Sequence, residues 1–107
     1  MKGYQITFFT QQDHMHRNKP AAEWLMHAAR ELGVRGATVI SGTEGYGKHR
    51  KIHSARFFEL ADQPQEVLMA MSEEEAVRLF AFLEQEGIHL FYVKSVVEYG
   101  TLGELDQ

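Results

Sequence analysis

Residues 42–58, GTEGYGKHRKIHSARFF, carry the side chains best suited to ionic chemistry. Gly42, Gly45 and Gly47 punctuate the stretch, and Lys48, Arg50, Lys51 and Arg56 supply four cations. A hydrophobic core has no use for Gly45-Tyr46-Gly47 followed directly by Lys48-His49-Arg50-Lys51. Backbone N–H groups at the glycines, together with those cations, can surround a phosphate or a carboxylate. A charged hairpin tip has the same composition, so the residues alone weigh the two readings equally. The segment is not a Walker loop, because His49 stands after the lysine where a Ser or Thr is required.

The histidines offer a second kind of chemistry. His14-Met15-His16 places two imidazoles two residues apart, and His49 and His53 are four apart. Such spacings can supply ligands to zinc, nickel or copper. Asp13 is one neighbouring carboxylate, but no carboxylate–histidine set completes a site, so His14 and His16 read first as solvated loop side chains. His49 and His53 read first as the flank of a polar loop. His27 falls on a helix beside its apolar stripe and is expected to be partly buried, and His89 opens a strand as a structural residue. No nucleophile, base and orienting group can be assembled, so no catalytic residue is assigned and no enzymatic activity is expected. Glu73-Glu74-Glu75 is explained by a helix start rather than by paired catalytic acids.

The bulk properties narrow the classes further. A chain of 107 residues fits one compact domain. A net charge of −4 argues against nucleic acid or an anionic membrane surface as the main partner. The absence of cysteine removes disulfides, thiolate metal sites and thiol catalysis. No apolar run approaches the roughly 20 residues of a membrane span, and the first residues read as a strand rather than a signal peptide. A cytoplasmic protein is the expectation.

The elements that must position the loop follow from periodicity. Residues 3–10 (GYQITFFT) are aromatic and β-branched and read as a strand. Residues 11–19 are polar and read as a loop, with Pro20 opening a helix over 20–32. Trp24, Leu25, Ala28, Ala29 and Leu32 form its buried stripe, and Gly33 suits its C-cap. Residues 37–40 begin a second strand. Residues 53–60 (HSARFFEL) read as a third, with 65–71 (QEVLMAM) resuming it after a bend, although Leu, Met and Ala also favour helix. Ser72 and Glu75 form a capping box for a helix that ends at Gly87. Residues 88–98 read as the last strand. The order βαββαβ predicts an α+β ferredoxin-like sandwich: an antiparallel four-stranded sheet with two helices on one face.

With these elements in place, the chain resembles the PII signal-transduction superfamily, and more closely its bacterial PII-like branch, domain-of-unknown-function family 190. Residues 33–40 (GVRGATVI), Gly45-Tyr46-Gly47, Ile52-His53-Ser54-Ala55-Arg56 and residues 93–99 carry the resemblance, which spans nearly the whole of residues 1–107 as a single PII-like domain. It implies a homotrimer with ligand sites in the clefts between subunits. It also implies that the segment at about 42–56 is a mobile T-loop that senses ligand and contacts a regulated protein partner. The positions matching the superfamily's strand-two and loop-base contacts are Thr38, Gly45, Tyr46, Gly47, Lys48 and His49, and the candidate cofactor is an adenine nucleotide.

Two departures stand out. The superfamily's basic phosphate loop is replaced here by Gln85-Glu86-Gly87-Ile88, which contains an acid. The arginines expected after the last strand are replaced by Glu98-Tyr99-Gly100-Thr101. The expected function is therefore a trimeric regulator that binds a small anionic metabolite or nucleotide. Lys48, His49 and Arg56 are the expected ligand contacts. A divalent-metal-binding trimer of the cation-tolerance type, with His14, His16, His49 and His53 as ligands, is the alternative.

Overall fold

The computed structural model describes residues 1–42 and 63–103, together with the short ladder formed by Glu44–Gly45 and His53–Ser54. The chain order is β1 (Lys2–Gln11), β2 (Met15–His16), β3 (Lys19–Pro20), α1 (Ala21–Glu31), β4 (Ala37–Ser41), β5 (Glu44–Gly45), β6 (His53–Ser54), β7 (Pro64–Ser72), α2 (Glu73–Glu86) and β8 (Phe91–Glu98). The main sheet runs β4-β7-β1-β8, and every neighbouring pair is antiparallel. α1 thus connects β1 to β4 across β7, and α2 connects β7 to β8 across β1. This is the expected ferredoxin-like sandwich.

Strand periodicity explains the two faces. Ile6 and Phe8 on β1 and Val67, Met69 and Met71 on β7 alternate inward and are fully or almost fully buried. They meet Leu25, Ala28 and Ala29 of α1 and Leu79 and Leu83 of α2 in one core. Trp24 stacks on Phe82, with ring centroids 5.9 Å apart, which joins the two helices.

The helix ends follow their capping chemistry. Ser72 accepts a hydrogen bond from the Glu75 amide while the Glu75 carboxylate accepts one from the Ser72 amide, so the capping box is complete. Gly87 closes α2 with φ of 71°, a conformation glycine adopts without a Cβ penalty. Pro20 is the N-cap of α1, and it can offer no side-chain bond. The backbone carbonyl of His14 instead accepts the Ala21 N–H at 2.8 Å, so the β2–β3 hairpin caps the helix in place of a side chain.

Three expectations shift. The polar stretch 11–19, read as a loop, contains the β2–β3 hairpin. The strand between β4 and β1 is β7, which starts at Pro64, so the segment read as a resumption after a bend is the main core strand. Its Val67, Met69 and Met71 alternate with half-buried neighbours at period two, which overrides the helical preference of Leu, Met and Ala. The last strand begins at Phe91 rather than at residue 88. Of the strand expected at 53–60, His53 and Ser54 form β6 against Glu44 and Gly45, and residues 55–60 lie outside the described residues.

The sheet face turned away from the helices is apolar in patches. Register aligns Thr38, Leu68, Thr7 and Val93 in one row across it. The next row is Ile40, Glu66, Phe9 and Phe91, with the Phe9 and Phe91 rings 5.5 Å apart. Ile40, Phe9, Phe91 and Val93 are all exposed there, Phe91 at 70%.

Candidate functional site

One end of the sheet gathers most of the polar chemistry. β1 ends there at Gln11, β4 ends at Ser41, β7 begins at Pro64, and the link from α2 to β8 arrives opposite Phe9. β4 therefore ends at the same end of the sheet as β1, from which the β2–β3 hairpin follows, and that hairpin meets the end of α2 through His16 and Glu86. Its base is pinned by backbone bonds: the Gly42 N–H donates to the Pro64 carbonyl at 2.8 Å, and the Gln12 N–H donates to the Gln63 carbonyl at 3.0 Å. The Gln63 side chain closes the neck further by donating to the Gly42 carbonyl at 3.0 Å. A side chain at Gly42 would press on the Pro64 ring at 3.3 Å, so this crossing is also sterically tight.

Inside the neck, Gln65 faces the helices, opposite Thr10 on one side and Ser41 on the other. Its Oε1 is buried and has no hydrogen-bond partner among the described residues. Thr10 is itself buried, and its hydroxyl shares a 2.8 Å hydrogen bond with His14 Nδ1.

The hairpin holds the second half of the site. His16 Nε2 lies 3.1 Å from Glu86 Oε1, and its ring meets the edge of Trp24 at a centroid distance of 4.4 Å. Arg17 donates through Nε to Glu86 Oε1 at 2.6 Å and through Nη2 to Oε2 at 3.3 Å. These hydrogen bonds, Arg17 first and His16 second, hold the Glu86 carboxyl below the usual carboxylate range. The same contact raises the Arg17 guanidinium above its ordinary value.

The expected site residues are distributed as follows. Thr38 lies on the open sheet face opposite Leu68, three residues before Ser41. Gly45 pairs with His53 in the β5–β6 ladder. Tyr46, Gly47, Lys48, His49 and Arg56 lie outside the described residues, as does most of the segment expected to be a mobile loop. His14 and His16 do not converge: one is engaged by Thr10 and the other by Glu86. No group of three or more His, Asp or Glu side chains suited to a metal occurs among the described residues. His27, expected to be partly buried, is exposed, because it falls between the buried Trp24–Leu25 and Ala28–Ala29 pairs on the outer side of α1. His89 is exposed in the link ahead of β8.

Sequence reasoning did not single out Arg17, and it noted Glu86 only as an acid in place of a basic phosphate loop. A signal for Glu86 did exist. It is an acid in the last turn of a helix that has no base there, which sets a carboxylate against the negative end of the helix dipole unless a cation arrives from elsewhere. At the far end of β4, a half-open cavity of about 320 Å³ lies between Met26, Ala29 and Arg30 of α1 and Val34, Gly36 and Ala37. No helix among the described residues is long and apolar enough to cross a membrane.

Comparison with known proteins places this geometry in a family. The profile described as domain of unknown function 190, uncharacterized ACR, matches residues 3–91. A "UPF0166 protein" of Aquifex aeolicus (strain VF5) is 33% identical over 75 residues, covering 70% of this chain and 71% of that protein. Among solved structures, CPII, a nitrogen regulatory PII-like protein from Thiomonas intermedia K12 bound to ADP, AMP and bicarbonate, superposes with a TM-score of 0.70. It is 16% identical, and the match covers 94% of this chain and 91% of CPII. CPII bound to ADP, AMP and acetate gives a TM-score of 0.64 at 17% identity, covering 94% and 90%. At these identities the structural likeness establishes the fold.

Proposed function

The chain belongs to domain-of-unknown-function family 190, and from that premise we propose that it is a PII-like regulatory protein. In this reading it is a homotrimer that binds a small anionic metabolite or an adenine nucleotide in the clefts between subunits. The segment at about 42–56 then orders on binding and contacts a regulated protein. Lys48, His49 and Arg56 meet the anionic groups, the amides of Gly45, Tyr46 and Gly47 cradle them, and Thr38 contributes at the base.

The observation that carries this reading is the pinned neck. Three hydrogen bonds among Gly42, Gln12, Gln63 and Pro64 fix the base from which the glycine-rich cationic segment starts. A segment anchored so firmly at its base can transmit a change in its own order to one defined place on the surface. The bare apolar sheet face supports self-association, since an uncovered patch of this kind marks an interaction surface. The PII-like fold shared with proteins solved with ADP, AMP and bicarbonate supports the ligand class.

Thermal shift tests the reading. ADP, AMP, ATP and bicarbonate are each compared with zinc, nickel and copper. A ligand at 100 times its dissociation constant adds about 2.7 kcal/mol of stability. A shift with a nucleotide or bicarbonate supports the proposal, and a shift confined to metal ions overturns it.

A further inference from the structure

At the tip of the β2–β3 hairpin, Arg17 and Asn18 both have positive φ, at 51° and 66°. A two-residue turn with positive φ at both central positions suits asparagine and glycine. An arginine held there carries backbone strain. The strained turn aims the guanidinium so that two of its nitrogens reach Glu86, and His16 adds a third nitrogen to the same carboxylate. Three donors from two adjacent residues converging on one carboxylate form the pattern that recognises an oxyanion.

Glu86 is a poor permanent occupant of that position. It is the last residue of α2, where unpaired carbonyls concentrate negative charge and disfavour an acid. The Arg17 side chain is 67% exposed, against 17% for His16 and 16% for Glu86, so an anion from solvent can approach the guanidinium without opening the core.

We propose that Arg17 and His16 form an oxyanion seat which Glu86 fills in the unliganded chain, and that a phosphate- or carboxylate-bearing ligand takes the seat by displacing the Glu86 carboxylate into solvent. The inference goes beyond the function proposed above, because none of the loop cations takes part. Displacement frees the end of α2 from the hairpin, while the Ala21 N–H bond to the His14 carbonyl keeps the base of the hairpin on α1 and the Thr10–His14 bond keeps it on β1.

Trp24 provides the readout: it is the chain's single tryptophan, and the His16 ring lies against its edge. The full chain, Glu86→Gln, and Glu86→Gln combined with Arg17→Gly are titrated with inorganic phosphate and separately with acetate. Chloride at equal ionic strength is the control. Glycine at position 17 accepts positive φ and so preserves the turn. Binding is followed by Trp24 fluorescence and by the His16 imidazole resonances, with circular dichroism to verify each fold. The expected result is a saturable response to at least one oxyanion in the wild-type chain. That oxyanion should bind at least about tenfold more tightly to Glu86→Gln, the equivalent of ~1.4 kcal/mol, and should give no response in the double variant. A folded Glu86→Gln that binds neither anion more tightly than wild type overturns the seat, as does a response that survives the loss of Arg17. A chain that answers phosphate or acetate here but shows no thermal shift with ADP, AMP, ATP or bicarbonate keeps the seat and loses the cleft reading, so the two proposals fail separately.

Discussion

Gly3 lies against the carbonyl of Met71 so closely that no Cβ fits between them. The contact crosses the β1–β7 ladder near Ser72, the cap of α2, and the Tyr99 ring covers the same spot at 2.9 Å from where that Cβ would stand. The requirement here is for absent volume, since it arises from the approach of the neighbouring strand. Gly3→Ala should therefore destabilise the domain by roughly 1–3 kcal/mol, the usual cost of forcing an atom into a packed site. Urea unfolding of the two proteins measures it, and unchanged midpoints would show that β7 yields freely.

Ser72→Ala removes half of the capping box at the junction of β7 and α2. About 1 kcal/mol of stability should be lost, and Ser72→Gly should lose only a few tenths. The ranking of the two melting temperatures is the check. An unchanged melting temperature in Ser72→Ala would mean that the Ser72 side chain contributes nothing as a cap.

The pH dependence centres on Glu86, whose carboxyl is held low by Arg17 and His16. A carboxyl with a depressed folded value contributes stability that is fully present above its unfolded value of about 4.3. That contribution is lost as pH falls through the folded value. Glu86→Gln should flatten the stability profile on the acidic side. Urea midpoints measured between pH 2 and 7 decide it. Arg17, raised by the same contact, keeps its charge through this whole range.

If the cationic segment holds the ligand, Arg56→Ala should cost about 1.5–3 kcal/mol of binding, the range for a hydrogen bond to a charged group. Lys48→Ala should weaken binding in the same direction. Glu73→Ala, at the start of α2, should leave affinity unchanged. Calorimetry with whichever ligand shifts the melting temperature makes the comparison, and equal affinity in all four proteins would remove these residues from the site.

Light scattering at micromolar concentration should report a trimer. Val93→Asp and Ile40→Asp each place a charge on the bare sheet face, where Val93 and Ile40 are both 47% exposed in the isolated chain. Each should yield a monomer that keeps its circular dichroism spectrum. Trimers that persist in both variants would move the subunit interface elsewhere.

Much of this fold was legible in the sequence because local chemistry and tertiary packing agree. Ser72, Glu75 and Gly87 announce the ends of α2, and Trp24, Leu25, Ala28 and Ala29 announce the buried face of α1. β7 was harder, since Leu68, Met69 and Met71 carry no strand preference and only the pairing on both sides makes them one. The hairpin at Met15–Pro20 was missed because its central Arg17 contradicts turn statistics, and strain of that kind is invisible without the partner that holds it. The Arg17–Glu86 pair spans most of the chain, and no short-range pattern links the two residues. The expectation of an anion site in the segment rests on composition, whereas the bonds that pin its base through Gln12, Gln63 and Pro64 arise only when β1, β4 and β7 meet.

Among the described residues the sheet has four strands, each opposed to its neighbours, and so β4 and β8 at its two edges point in opposite directions. A second copy brought up by simple rotation, its β8 laid beside the first copy's β4, would continue the up-and-down alternation without a break. An odd count would have forced two like-directed strands together at every seam. Head-to-tail joining of this kind uses two different surfaces on each copy and closes into a ring when the rotation divides a full turn. Strand parity therefore leaves both sheet edges usable in a cyclic assembly, with no rearrangement of the ladder inside any subunit.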